Sequence, residues 1–257
     1  MALRFSANTG FLWTHLDLID RIRAIHAAGF EAVEFHDEVQ RSDPGAVAGV
    51  LAETGLPVCA LNVRKGAMSG CAALTGHEDQ ARRDVDDAAR VAEVVGARAI
   101  HVLAGCSGDD GDRAAFLRVL HHALTATDRV VLIEPICRLA MAGDFLHDID
   151  QAAAIIAEIG DPRLRLMFDC FHIQTATGDC AAAFARHAGQ VGHVQIASVP
   201  GRNEPGADDM LDYARLIPAM QAAGYGGAFG CEYRPRGTVE AGLGWRARLR
   251  AGIQPSA

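Results

Sequence analysis

Val130-Val131-Leu132-Ile133-Glu134 is a short, β-branched apolar run. Behind it Leu146–Ile159 has helical spacing, Gly160 stops that helix, and Arg165-Leu166-Met167-Phe168-Asp169 forms a second apolar run. Strand, crossover helix and strand at these lengths make a parallel βαβ unit, because parallel strands cannot be joined by a tight turn. The same unit recurs on both sides. Strands are predicted at Leu3–Asn8, Ala32–Phe35, Val58–Asn62, Ala99–Leu103, His193–Ala197 and Ala228–Glu232. Helices are predicted near His15–Ala28, Pro44–Thr54, Glu78–Val95, Arg113–Thr125, Cys180–His187 and Tyr213–Ala223, with a brief last one at Trp245–Arg250. Leu16, Ile19, Ile22 and Ile25 share one side of the first. Gly29, Gly55, Gly96, Gly160, Gly189 and Gly224 each follow a helical pattern, where a residue at positive φ ends the helix.

Eight such alternations in 257 residues predict an α/β fold, a (β/α)8 TIM barrel, as a single domain over 1–257. The structural rival is a doubly wound open sheet, which carries phosphate-binding glycines after its first strand. Asn8-Thr9-Gly10-Phe11-Leu12-Trp13 stands there instead and lacks G-x-G-x-x-G. The Gly-rich stretch Gly105–Gly111 is not that fingerprint either; it is expected as a mobile loop, and the tail Gln254–Ala257 as frayed.

Composition narrows the function. Half the residues are hydrophobic and 22% are charged, as in ordinary globular proteins. The formal charge is −8, with 24 basic against 32 acidic residues and no long run of one sign. A non-specific nucleic-acid or anionic-membrane binder needs a basic face, so neither is expected as a partner. No stretch approaches the roughly 18 apolar residues of a spanning helix, and the first ten residues lack a secretory apolar region. Seven cysteines without a C-x-x-C pair suggest neither a disulfide framework nor structural zinc; free thiols point to a cytoplasmic protein.

In a barrel of this kind the active site sits at the carboxyl ends of the strands. Four polar residues stand at those ends in consecutive strands: Glu134, Asp169, Gln195 and Glu232. Polar loops place single acids beside strands routinely, but four in one register are a pattern. Three carboxylates meeting there repel one another unless positive charge lies between them. A hard divalent cation with oxygen ligands supplies it, with Gln195 as fourth oxygen, and Mg2+ or Mn2+ suits that set better than Zn2+. His172, Arg202 and Arg234 are candidates to hold an anionic substrate, together with Arg236. His101 either lines the barrel or is a core histidine. His121, His122, His187 and His193 have no partner at metal-ligand spacing, and Ser107 has no nucleophile elbow around it.

Several segments carry a resemblance. His101-Val102-Leu103-Ala104-Gly105, Glu134-Pro135-Ile136, Gly192 to Pro205, Gly230 to Gly237, and Glu240 to Trp245 together resemble the hydroxypyruvate isomerase family of xylose-isomerase-like barrels. By that resemblance, Glu134, Asp169, Gln195 and Glu232 fall on metal positions, and Glu134 and Glu232 also on the two acid–base residues. It implies a metal-dependent, aldose–ketose type isomerisation of a small anionic 2-oxo acid, such as hydroxypyruvate to tartronate semialdehyde, through an enediolate. It also implies a possible homo-oligomer. A four-carbon 2-oxo-tetronate differs only in chain length. Ketose 3-epimerases tend to place His where Gln195 stands, and an apurinic endonuclease calls for more His ligands than this chain offers. The chain departs from the family at Phe35-His36-Asp37-Glu38, at Asn62-Val63-Arg64-Lys65-Gly66, and at Cys137 and Ala140, where Asn and Asp are common. Those departures bear on the substrate and motivate a non-catalytic, sugar-acid-binding barrel as the remaining alternative.

Overall fold

The computed structural model describes residues 3–107, 111–206 and 209–253. The expected mobile loop Gly105–Gly111 falls partly outside these residues and the expected frayed tail wholly outside them. In chain order the elements are β1 (Phe5–Asn8), α1 (Leu18–Ala27), β2 (Ala32–Phe35), α2 (Pro44–Thr54), β3 (Val58–Asn62), α3 (Glu78–Val95), β4 (Ala99–His101) and α4 (Arg113–Ala126). Then come β5 (Val130–Ile133), α5 (Ile149–Ile159), β6 (Leu164–Asp169), α6 (Cys170–Thr177), α7 (Cys180–His187), β7 (Val191–Ile196), α8 (Tyr213–Ala222), β8 (Phe229–Cys231), α9 (Val239–Gly242) and α10 (Gly244–Ile253). The eight strands pair in sequence order, all parallel, and β1 closes on β8 through Phe5–Phe229, Ser6–Gly230 and Ala7–Cys231. The (β/α)8 barrel is therefore the fold.

Local chemistry explains where helices begin. Asp17, Asp43, Asp112, Asp148, Asp179 and Asp212 each accept a backbone N–H at the start of α1, α2, α4, α5, α7 and α8. Each such cap contributes about 1 kcal/mol by satisfying an otherwise orphaned donor. Gly55, Gly96 and Gly160 close α2, α3 and α5 in the left-handed conformation. Gly189 departs from the expectation; it lies in a 3-10 turn, Ala188–Gln190, and its φ is not positive.

The apolar faces pack into one core. Phe5, Phe35, Phe116, Phe168 and Phe229 are fully buried, and Trp245 of α10 meets Phe5 edge-on at 5.0 Å. The barrel interior also holds polar side chains: Ser6, Asn8, Glu34, His193 and Gln195 are all buried. Among the described residues no helix is long and apolar enough to cross a membrane.

Three differences from the sequence expectation matter. The segment after β6 is a helix, α6, not a loop: its buried residues Cys170 to Gln174 are contiguous and show no 3.6-residue period, so only the Asp169 cap and Gly178 at φ 74° mark it. The strands are shorter at their margins, β4 ending at His101 and β8 at Cys231, because hydrogen bonding stops where the chain turns out of the barrel. The brief terminal helix is a pair, α9 and α10.

Candidate active site

The four strand-end residues come together. Asp169 pairs with Gln195, and Gln195 with Gly230, so β6, β7 and β8 present their ends at one level; Glu134 and Glu232 follow β5 and β8 directly. All four are buried. Asp169 also caps α6, its Oδ1 accepting the Phe171 N–H at 2.8 Å, which leaves Oδ2 facing the barrel mouth.

The positive charge among these carboxylates is an arginine. Arg202 donates from one Nη2 to Asp169 Oδ2 at 2.8 Å and Glu232 Oε2 at 2.9 Å. Its guanidinium is sandwiched by the rings of Phe171 at 4.9 Å and Phe11 at 5.1 Å. The loop after β7 is tied to aim it there. Arg202 N–H donates to the Ser198 carbonyl, Asn203 N–H to Ser198 Oγ, and Arg234 N–H to the Arg202 carbonyl. Arg202 itself has φ 50°, a left-handed conformation that costs a side-chain-bearing residue and persists where its surroundings impose it. The sequence placed Arg202 on an anionic substrate; the structure pairs it with the protein's own carboxylates, because two buried acids left unpaired cost more than one exposed anion site gains.

The electrostatics follow from burial and these pairings. Burial pushes Glu134 well above the ordinary carboxylate value, and the charges of Glu232 and Asp169 push it further. Asp169 is pushed up to about 7, by burial first, with Arg202 opposing and Glu232 adding. Burial acts on Glu232 too, but Arg202 and His36 hold it well below the usual range. His101 and His172 are both driven down to about 3, chiefly by burial, so both are neutral.

Around these stand further partners, of which sequence reasoning named His101 and His172 as candidates and gave no role to His36, Asn62, Glu34 and His193. His36, just past β2, bonds through Nε2 to Glu232 Oε1 at 2.8 Å. A Cβ on Gly10 would lie 2.1 Å from the His36 ring, so the glycine of the first βα turn makes room for that imidazole. Asn62 at the end of β3 meets His101 Nδ1 at 3.1 Å, and His101 Nε2 lies 3.7 Å from Glu134 Oε2. His172 projects from α6 with Nε2 3.5 Å from Asp169 Oδ2 and 3.8 Å from Glu134 Oε1. Beneath these, Glu34 of β2 meets His193 Nε2 at 2.6 Å; burial raises Glu34 but His193 and Gln195 together hold it below its ordinary value. The available signals were His36 as the polar residue ending the second apolar run, and Glu34 as an acid inside it.

A cavity of about 380 Å³ opens over this arrangement. Glu134, Glu232, His36, Asn62, His172 and Arg202 line it, with Lys65 and the exposed Arg234 at its edge and Leu139, Ala140 and Met141 along one wall. His101 is not among the lining residues; its Nε2 stands 3.7 Å from Glu134 Oε2. Arg236 turns away to Glu204, and Arg64 to Asp87. Glu134, Asp169 and His172 each offer a ligand atom within 4.8 Å of the others. Two buried oxygens, Glu134 Oε1 and Gln195 Oε1, have no hydrogen-bond partner among the described residues. Orphaned oxygens among carboxylates are what a hard cation satisfies, so these residues fit a divalent metal.

Comparison with known proteins agrees with the geometry. The model of the xylose isomerase-like TIM barrel family matches residues 22–251. A 2-oxo-tetronate isomerase of Cupriavidus necator is 38% identical over 94% of this chain and 96% of its own. The hydroxypyruvate isomerase of Escherichia coli is 32% identical, over 95% and 98% respectively. A solved structure named AP endonuclease, family 2, from Brucella melitensis is 31% identical with a TM-score of 0.90, covering 96% of this chain and 99% of that one. The chain belongs to the xylose isomerase-like TIM barrel family, beside its hydroxypyruvate and 2-oxo-tetronate isomerases.

Proposed function

We propose that this isomerase interconverts a small 2-oxo acid and its aldehyde isomer, with hydroxypyruvate and tartronate semialdehyde as the first pair to test, all of 1–257 acting as one domain. The observation that carries this reading is the facing of two buried glutamates, Glu134 and Glu232, into one cavity of small-molecule size, about 380 Å³. Isomerisation moves one proton from C3 to C2 while the hydroxyl hydrogen passes from O3 to O2, so nothing is consumed and an acid and a base suffice. One glutamate removes the C3 proton to give an enediolate, and the other attends the neighbouring carbon and oxygen where the proton returns.

Glu134 and Asp169, whose ligand atoms lie with that of His172 within 4.8 Å of one another, would hold Mg2+ or Mn2+ together with Gln195 and Glu232. Such a cation, when bound, polarises the substrate carbonyl and stabilises charge developing on its oxygen. Arg202, which lines the cavity, would meet the substrate carboxylate, with Arg234 and Lys65 at the cavity edge and His172 donating to a substrate oxygen.

The Cupriavidus relative's name favours a second, four-carbon substrate. The Brucella structure's name raises phosphodiester cleavage, which the −8 charge disfavours. Chelated protein given Mg2+ or Mn2+ is incubated with hydroxypyruvate, a 2-oxo-tetronate, a ketohexose and an abasic-site duplex, and products are followed by NMR and gel. Metal-dependent isomerisation of a 2-oxo acid is the expected outcome. Cleavage of the duplex, or conversion of the ketohexose alone, contradicts it.

A further inference from the structure

Glu34 sits on β2, yet its carboxylate reaches across the barrel interior to β7. There Gln195 donates its Nε2 to Glu34 Oε1 at 3.0 Å and His193 Nε2 lies 2.6 Å from Oε2. From β1, Ser6 Oγ and Asn8 Nδ2 each donate to the same carboxylate at 3.0 Å. Two oxygens thus receive four contacts, which is the full acceptor capacity in use without a proton. The reach is possible because β8, which lies between, has a glycine at that level. A Cβ on Gly230 would stand 2.5 Å from Glu34 Oε2 and 2.9 Å from Gln195 Cγ.

An amide has two chemically different ends, and a carboxylate accepts from only one of them. With Glu34 below it, the NH2 of Gln195 must turn down. Its oxygen must then turn away from Glu34, and that oxygen, with Glu134 Oε1, is buried in the site without a hydrogen-bond partner among the described residues. Were the amide reversed, oxygen would face oxygen beneath and an NH2 would face the carboxylate cluster above. We propose that Glu34 is a positioning residue which fixes the Gln195 amide so that an oxygen, and not a nitrogen, faces the candidate cation site, with Gly230 as the gap that admits it. The inference rests on the cation reading of the site given above.

Mn2+ binding, followed by calorimetry and by the spin resonance of free Mn2+, tests it without reference to turnover. In Glu34→Gln the group beneath no longer dictates which end of the amide turns down. Affinity for Mn2+ is expected to fall about 10- to 100-fold, the usual effect of losing an outer partner of a ligand. Adding Gln195→Glu to that variant is expected to restore affinity, because a carboxylate has no wrong end and can accept from Gln at position 34. Gly230→Ala, which crowds the Glu34 carboxylate, provides a second route to the same loss, should the first variant not fold; metal-free melting curves report folding in each. Unchanged affinity in Glu34→Gln, or a double variant as weak as the single, overturns the positioning role while the cation reading stands. A wild-type protein that does not bind Mn2+ overturns both.

Discussion

The two halves of the barrel mouth differ in kind. Strands β5 to β8 end in the groups with chemistry of their own, Glu134, Asp169, Gln195 and Glu232. Strands β2 to β4 carry groups that meet those: His36, just past β2, bonds Glu232, Glu34 within β2 bonds Gln195, and His101, held by Asn62, stands beside Glu134. On the proposed reading, one half supplies reactive oxygens and the other sets their orientation and charge. A barrel allows this because residues far apart in sequence, such as positions 36 and 232, become neighbours across its interior.

That division predicts a graded set of effects. The largest belongs to the acid–base pair. Glu134→Gln and Glu232→Gln, made singly, are each expected to lower turnover of the 2-oxo acid by about 10²- to 10⁴-fold while the fold, followed by melting, persists. Asp169→Asn comes next, since it removes one candidate ligand and half of what holds Arg202; its Mn2+ affinity, measured by calorimetry, should fall by more than the roughly 10- to 100-fold typical of an outer partner. His36→Leu then probes the supporting half. It deletes one hydrogen bond to a charged group, worth about 1.5–3 kcal/mol, so kcat/KM should drop by about 10- to 100-fold in steady-state kinetics. If His36→Leu is as damaging as Glu232→Gln, the two halves are not different in kind and His36 belongs with the reacting groups.

The smallest effect on activity, and a separate one on stability, is predicted at Asp144 in the segment between β5 and α5. Burial pushes this carboxyl up to about 7, with the Leu146 N–H partly offsetting, and its Oδ2 is an orphan. A raised native value means that folding favours the protonated form. The stability it contributes is complete below the ordinary carboxylate value near 3.8 and is lost as pH rises toward 7. Asp144→Asn should therefore melt higher than wild type at pH 8, by a few degrees, with the gap closing as pH falls toward 4. A constant gap across that range would place the cause elsewhere.

The same contrast explains what the sequence disclosed. An apolar run ending in an acid is a local signal, and it marked Glu134, Asp169 and Glu232; parallel register then carried Gln195 along. The barrel itself was legible because one βα unit after another repeats the local grammar of apolar run and helical spacing, most often with a glycine stop. His36, Glu34 and His193 gave no such signal, since their meaning lies in partners between 159 and 196 residues away. Arg202 was marked as a candidate for an anionic substrate, but its pairing with Asp169 was not legible for the same reason: nothing near it in sequence shows that the loop after β7 folds back over Asp169. The helix α6 was missed because a segment buried on most sides has no amphipathic period.

The most direct test of the central claim, that Glu134 and Glu232 form an acid–base pair across one cavity, is hydrogen exchange at C3 of hydroxypyruvate in D2O. It is followed by NMR with chelated protein and added Mg2+ or Mn2+. Wild-type protein should exchange the C3 protons well above background, only with the cation present, and both Glu134→Gln and Glu232→Gln should bring the rate close to background. Exchange that persists undiminished in either variant, or absence of exchange with hydroxypyruvate and with the four-carbon 2-oxo acid alike, would contradict the account.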